Sequence, residues 1–225
     1  MNKIDVSIVV PLYNKENETL KNYYISRIAR IVPVYMLALF IMVYFAYGNG
    51  NNNALSLLLS ATFMQSWFPP YPLSLNNPGW SLSVEMFFYL TFPLIIFIIR
   101  KSQITPVTLS LGAIGFYVFT QAILSNLMTD KFYNGFPSAS HDLIYYFPLS
   151  HYCSFLLGVA GGYIYLKKQK HFQQEGVFPL FILLLILSIT YYFLQNPRIL
   201  LDFSGIPLAY GSSFYSLLFI LMILG

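Results

Sequence analysis

The chain has 225 residues, of which 57% are hydrophobic and only 9% are charged, and its formal net charge is +4. Soluble proteins carry about 25% charged residues, so this composition excludes an ordinary water-facing domain and predicts a lipid bilayer as the surroundings. The basic residues occur in short runs rather than over a broad surface, so we predict no nucleic-acid partner. The single cysteine, Cys153, excludes an intrachain disulfide and a cysteine metal cluster; we expect it to pack in the interior, and we predict no metal site.

Residues 1–19 form an atypical N-terminal segment, and we assign residues 20–225 to the main domain. Within the segment, Val6–Glu16 (VSIVVPLYNKE) resembles the first strand and turn of inverting family 2 glycosyltransferases. No nucleotide-binding pattern follows it, and the chain has no D-x-D metal motif. We therefore do not predict a glycosyltransferase.

Six apolar stretches are long enough to cross a bilayer as helices, which takes about 20 residues. They are Ile31–Tyr47, Ser81–Ile99, Ile104–Leu124, Leu143–Leu166, Val177–Leu194 and Ile206–Leu224. A seventh stretch, Ala54–Phe68, is short and carries polar residues, so it is predicted to be re-entrant or interfacial. The predicted fold class is all-α, a polytopic transmembrane bundle of about six spanning helices. Gly158 and Gly162 have the spacing that favours close approach of another helix.

Basic residues set the predicted orientation, because they are enriched in cytoplasmic loops. Three groups flank the first, second and fourth spans: Lys21, Arg27 and Arg30; Arg100 and Lys101; Lys167, Lys168 and Lys170. Placing all three in the cytoplasm lets the six spans alternate in direction. The connections Gly48–Asn53 and Asn126–Asp142 then face outward, the second as a solvated loop.

The stretch Asn76–Pro93, NNPGWSLSVEMFFYLTFP, is the most informative part of the chain. Asn77 is predicted to cap a helix that begins at Pro78. Ser81 and Glu85 lie four residues apart and share a helical face, so Ser81 is a candidate partner for the carboxylate. A charged group at the centre of a span costs about 3 kcal/mol on insertion scales, and it needs a partner, a proton or a function. We predict a functional site at Glu85; the alternative is an interfacial glutamate that reaches water.

Arg27 and Arg30 lie three residues apart and share a helical face. Two interpretations stay open from charge alone. The arginines hold the preceding loop in the cytoplasm, or their guanidinium groups bind phosphates. In both cases we expect them at the cytoplasmic mouth, across the bundle from Glu85.

Together these stretches resemble the membrane acyltransferase 3 family. The patterns R-I-x-R-x-x-P-x-Y and W-S-L-S-V-E-x-x-F-Y-L-x-x-P are met by Arg27–Tyr35 and Trp80–Pro93, and Phe155–Gly158 also fits the family pattern. The resemblance implies an integral membrane O-acyltransferase that moves an acyl group, often acetyl from acetyl-CoA, onto sugars of a cell-surface or exopolysaccharide. It also implies a multi-pass location in a bacterial inner membrane and O-acetylation of the cell envelope.

The resemblance further implies roles for seven side chains. The residues implied to bind the phosphates of CoA are Arg27 and Arg30. The residues implied to take part in catalysis are Glu85, Ser81 and Trp80. The residues implied to contact the carbohydrate acceptor are Trp80, Ser83 and Asn77.

Two departures from the family pattern concern the ends of the chain. The family pattern includes a catalytic histidine on an early helix and a later motif near L-G-x-x-S-Y-x-x-Y-L-x-H, and neither occurs here. We therefore expect a fragment, truncated at both ends, that transfers no acetyl group by itself. His151 is the candidate substitute for the histidine. The alternative function is a polysaccharide transporter or flippase component without catalysis, which would not need the two motifs.

Overall fold

The computed structural model describes residues 20–48, 53–128 and 131–172, together with residues 185, 188, 191 and 192. The regular elements of these three ranges are all helices, which confirms the predicted all-α class. In chain order they are α1 (Leu20–Gly48), α2 (Ala54–Ala61), a 3₁₀ helix (Gln65–Trp67), α3 (Gly79–Lys101), α4 (Pro106–Leu127), α5 (Ala139–Tyr145) and α6 (Pro148–Phe172). Residues 1–19 and almost all of the fifth and sixth predicted spans lie outside the described residues.

Four described helical segments are long and apolar enough to cross a membrane. They are Leu20–Phe45, Gly79–Lys101, Pro106–Leu127 and Ala139–Lys167, and they correspond to the first four predicted spans. The fourth differs from the prediction because it consists of two helices, α5 and α6. Pro148 has no N–H to donate to a preceding carbonyl, and the helix is interrupted immediately before it.

The segment Ala54–Phe68 contains α2, which has only eight residues. At 1.5 Å per residue α2 is about 12 Å long, too short for a hydrocarbon core of about 30 Å. Asn53 caps its start, with Oδ1 accepting a hydrogen bond from the Leu55 N–H at 3.0 Å. The short helix and the 3₁₀ helix after it agree with the prediction of a segment that does not cross the membrane.

The chain divides into two compact units. The described residues of the first lie within Met1–Ser102 and Asn134–Pro148, and those of the second within Gln103–Tyr133 and Leu149–Gly225. In the second unit, α4 and α6 share a core formed by Ala113, Tyr117, Cys153, Leu157 and Ala160. Cys153 is fully buried there, as expected for a packing residue.

Two aromatic contacts show that α1 and α3 run antiparallel in the first unit. Tyr23, near the start of α1, stacks on Phe92 in the second half of α3, with ring centroids 6.1 Å apart. Tyr35, further along α1, lies beside Gly79 at the start of α3. The start of α1 and the end of α3 are therefore at the same end of the unit. This is the arrangement that the predicted orientation requires for the first two basic groups.

Candidate functional site

Glu85 is half-buried on α3, and its partner is a tyrosine of the same helix. The Tyr89 hydroxyl donates a hydrogen bond to Glu85 Oε1. The two residues are four apart and share a helical face. Ser81 is exposed, and its hydroxyl donates to the carbonyl oxygen of Pro78 at 2.9 Å. The prediction of Ser81 as the partner of Glu85 is wrong, because a serine in the first helical turn bonds readily to the local backbone.

Arg27 of α1 lies against the same tyrosine. Its Cζ is 5.5 Å from the ring centroid of Tyr89 and 5.6 Å from that of Tyr23. Tyr23 is buried and donates a long hydrogen bond, 3.4 Å, to the main-chain carbonyl of Tyr89. A cation over an aromatic face gains about 0.5–2 kcal/mol, more as it is desolvated. Two ring faces thus fix the position of the guanidinium group.

Arg27 and Glu85 are joined through Tyr89 and do not lie at opposite ends of the bundle. Tyr89 is ten residues after Gly79 and twelve before Lys101, where α3 begins and ends. At 1.5 Å per residue, these intervals are about 15 Å and 18 Å, so Arg27 contacts α3 near its middle. The expectation that Arg27 lies across the bundle from Glu85 is wrong, because the antiparallel packing of α1 and α3 brings Arg27 against Tyr89, the partner of Glu85.

The two arginines keep donors that the described protein does not use. Among the described residues, no carboxylate oxygen lies within 4.0 Å of either guanidinium group. The buried Nε of Arg27 has no hydrogen-bond partner there, and Arg30 is exposed. Guanidinium groups in this state have the geometry and charge that suit phosphate oxygens.

Trp80 and Ser83 lie in the first two turns of α3 and differ in exposure. Trp80 is half-buried, with its ring centroid 5.1 Å from that of Tyr146, and its carbonyl accepts a hydrogen bond from Ser66 Oγ at 3.0 Å. Ser83 is only 1% exposed, and its hydroxyl donates to the carbonyl of Phe63 at 2.5 Å. Ser83 therefore joins α3 to the preceding segment and is closed to a substrate in this structure.

Asn77 is exposed and does not cap α3. The helix begins at Gly79, and the capping position is held by Pro78, which makes no side-chain hydrogen bond. The Gly79 N–H instead donates to the carbonyl of Asn76 at 2.9 Å. The predicted cap and start are wrong by one residue, because this backbone turn supplies the acceptor that a side chain was expected to supply.

A buried glutamine, which the sequence did not single out, fixes the start of α3. Gln65 Nε2 donates to the carbonyl of Gly79 at 2.7 Å and to the Tyr35 hydroxyl at 3.4 Å. The Tyr35 hydroxyl donates in turn to the carbonyl of Ser60 at 3.0 Å. A Cβ at position 79 would lie 3.2 Å from Gln65 Nε2, so the close approach favours glycine. The signal in the sequence was a polar side chain within a short apolar segment.

A polar pair on α5 was also missed. Nδ1 of His141 lies 3.7 Å from an oxygen of the buried Asp142. The His141 ring stacks on Tyr145 at 4.5 Å and lies 5.5 Å from Tyr146, the residue in contact with Trp80. The prediction of a solvated loop is wrong at this end, because the last residues of the predicted loop belong to the helix α5 and Asp142 is buried. The candidate substitute histidine, at position 151, is on α6 in the second unit.

Comparison with known proteins relates the chain to acyltransferases. The family model Acyl_transf_3, described as an acyltransferase domain, matches residues 6–225. Acyltransferase MdmB of Streptomyces mycarofaciens is 30% identical over an alignment of 95 residues, and the alignment covers 39% of this chain and 24% of that protein. The similarity thus spans about a quarter of that relative's length. No solved structure matches the chain.

Proposed function

This chain belongs to the Acyl_transf_3 family of acyltransferases, and we propose that the protein carrying it moves an acetyl group from acetyl-CoA to a sugar hydroxyl of a cell-surface or exopolysaccharide. The acyltransferase class follows from the family, and the membrane setting follows from the four long apolar helices. The donor, the carbohydrate acceptor and a bacterial inner-membrane location are the proposal. Membership of an enzyme family also favours catalysis over the transporter alternative.

The observation that carries the proposal is the guanidinium group of Arg27 with its unused Nε. It lies against two tyrosine rings, no carboxylate oxygen of the described residues is within 4.0 Å of it, and the exposed Arg30 follows one turn later. CoA offers a diphosphate and a further phosphate, which are the anions that paired guanidinium groups bind best. We therefore place the phosphates of the donor at Arg27 and Arg30.

The spacing along α3 suits a donor that is long and flexible. Trp80 lies nine residues before Tyr89, which corresponds to about 14 Å along the helix axis. With the phosphates at Arg27, the pantetheine arm can run along α3, past Glu85, toward Trp80. The half-buried indole offers a flat apolar face to a sugar ring. In this arrangement the acetyl group meets the acceptor near the start of α3.

The chemical step exchanges a thioester for an ester. The sugar oxygen attacks the thioester carbonyl, a C–O bond forms, the C–S bond breaks, and the hydroxyl proton finally resides on the CoA thiol. Glu85 accepts a hydrogen bond from the sugar hydroxyl and orients it toward the carbonyl. A general base contributes about 10²–10⁴ in rate, and the family resemblance implies a histidine for this role.

Variants at the two ends of the proposed site test it separately. We expect the double variant Arg27→Ala, Arg30→Ala to weaken CoA binding about tenfold or more, because charge-assisted hydrogen bonds are lost. Glu85→Gln should abolish acetyl transfer and leave CoA affinity nearly unchanged, since the amide oxygen can still accept from Tyr89. Both quantities are measured in membranes that contain the protein carrying this chain, with radiolabelled acetyl-CoA and extracted polysaccharide.

The matched control is Arg100→Ala, which removes an exposed cation from the end of α3. Unchanged CoA affinity in the double arginine variant would contradict phosphate binding by Arg27 and Arg30, and would leave only their role in setting the topology. Transfer at the wild-type rate by Glu85→Gln would reduce that residue to an interfacial anchor. Absence of CoA binding by the wild-type protein would overturn the donor.

A further inference from the structure

Tyr89 occupies the point where the two halves of the proposed site meet. Its hydroxyl donates to the Glu85 carboxylate, and its ring face lies 5.5 Å from the Cζ of Arg27. The Tyr23 hydroxyl donates a hydrogen bond to the main-chain carbonyl of Tyr89, and the rings of the two tyrosines meet edge-on with centroids 6.5 Å apart. The hydroxyl of Tyr89 thus contacts Glu85, its ring contacts Arg27 and Tyr23, and its main-chain carbonyl contacts Tyr23.

Arg27 and Glu85 do not contact each other directly. Among the residues described, no ion pair within 4.0 Å joins them, and Tyr89 is the residue in contact with both. A phenol that donates to a carboxylate becomes more electron-rich, and a more negative ring face attracts a cation more strongly. The two contacts therefore reinforce each other, which an arrangement made only for packing would not require.

We propose that Tyr89 is a positioning residue with two separable functions: its hydroxyl orients Glu85 for the acceptor, and its ring holds Arg27 for the donor. The proposal rests on the proposed function above and extends it to a residue outside the implied site. A fixed carboxylate matters for transfer, since misorientation of a reacting group lowers the rate steeply. A fixed guanidinium matters for binding, since less side-chain freedom is lost when the phosphate arrives.

Two substitutions separate the functions. Tyr89→Phe keeps the ring and removes the hydroxyl, so transfer should fall about tenfold or more while CoA affinity changes less than about twofold. Tyr89→Leu removes both, so CoA affinity should also fall, by about three- to tenfold. Transfer and CoA binding are measured at equal amounts of folded protein. A purely structural tyrosine would lower both quantities together or neither.

The matched control is Tyr24→Phe, which removes a hydroxyl from a half-buried tyrosine whose ring lies 5.1 Å from Tyr23 on α1. It should leave transfer and CoA affinity unchanged. Wild-type transfer by Tyr89→Phe overturns the role of the hydroxyl, and unchanged CoA affinity in Tyr89→Leu overturns the role of the ring. Either outcome refutes the dual function.

A further measurement keeps this proposal distinct from the proposed function. If the wild-type protein binds no CoA, the donor is wrong, and the Tyr89–Glu85 link is then decided by thermal unfolding. Tyr89→Phe and Glu85→Leu break the same hydrogen bond, so the shift in unfolding temperature of the double variant should be clearly smaller than the sum of the single shifts. Additive shifts would refute the link independently of any ligand.

Discussion

At the scale of single residues, Glu85 shows what helical spacing can and cannot predict. Ser81 and Tyr89 lie four residues before and after it, so both share its face. The spacing predicts a local partner for the carboxylate but does not choose between them. The choice depends on reach: the serine hydroxyl is short and bonds to Pro78, whereas the tyrosine hydroxyl extends to Glu85.

Arg27 shows a second limit at this scale. Its charge and spacing from Arg30 left two interpretations open, topology and phosphate binding. The structure adds the tyrosine faces around it and the absence of a carboxylate within ion-pair distance among the described residues. Contacts between α1 and α3 depend on how the two helices are aligned, and a single sequence does not contain that alignment.

Ser83 gives a prediction for one side chain. In Ser83→Ala the buried carbonyl of Phe63 loses its donor, so the free energy of unfolding should fall by about 1–3 kcal/mol. Thermal unfolding in detergent measures the change. Ser81→Ala is the control: its hydroxyl is exposed and bonds only locally, so the change should stay within about 0.5 kcal/mol. If Ser83→Ala were as stable as the wild type, the hydrogen bond to Phe63 would not stabilise the fold. Ser83 would then remain a candidate for contact with the acceptor, as the family resemblance implies.

At the scale of elements, the described spans were predictable and their ends were not. A helix can cross a bilayer when its run of apolar residues is as long as the bilayer is thick, and such a run is visible in the sequence. Ends are set by backbone hydrogen bonds: the turn at Asn76 starts α3 at Gly79, and Pro148 separates α5 from α6. The helices approach closely at Gly79. At Gly158, where close approach was expected, an added Cβ meets no described atom within 4 Å.

Gln65 gives a prediction for the junction of α1, the 3₁₀ helix and α3. Gln65 is only 1% exposed, and Gln65→Ala removes its side-chain hydrogen bonds to the Gly79 carbonyl and the Tyr35 hydroxyl. We expect a loss of about 1–3 kcal/mol in stability, seen as a lower unfolding temperature. Thr62→Ala is the control, because this hydroxyl is exposed and bonds within its own turn. Equal effects of the two substitutions would contradict a special role for Gln65.

At the scale of the whole molecule, the membrane class and the enzyme family followed from the sequence through hydropathy and two motifs. The motifs contain the two arginines, Glu85 and Tyr89, so the residues of the site were present in the patterns. Their pairing was not, because the motifs lie about 50 residues apart and meet only through the antiparallel packing of α1 and α3. His141 and Asp142 lay outside both motifs and were found only through the fold of α5.

The last prediction concerns topology. The antiparallel packing puts Lys101 at the end of the first unit where α1 begins, and basic residues favour the cytoplasm. The 22-residue α4 extends about 33 Å, enough to cross, so Asn134 should lie outside. The fourth span then returns the chain to the cytoplasm at Lys167.

A cysteine introduced at one of these three positions at a time measures the topology, with an impermeant maleimide added to cells before and after permeabilisation of the inner membrane. Asn134→Cys should react in unpermeabilised cells, whereas Lys101→Cys and Lys167→Cys should react only after permeabilisation. The unaltered protein is the control, because Cys153 is fully buried and should not react under either condition. Reaction of Lys167→Cys in unpermeabilised cells, with Asn134→Cys protected, would show that the predicted orientation is inverted. The proposed acceptor side would then face the cytoplasm.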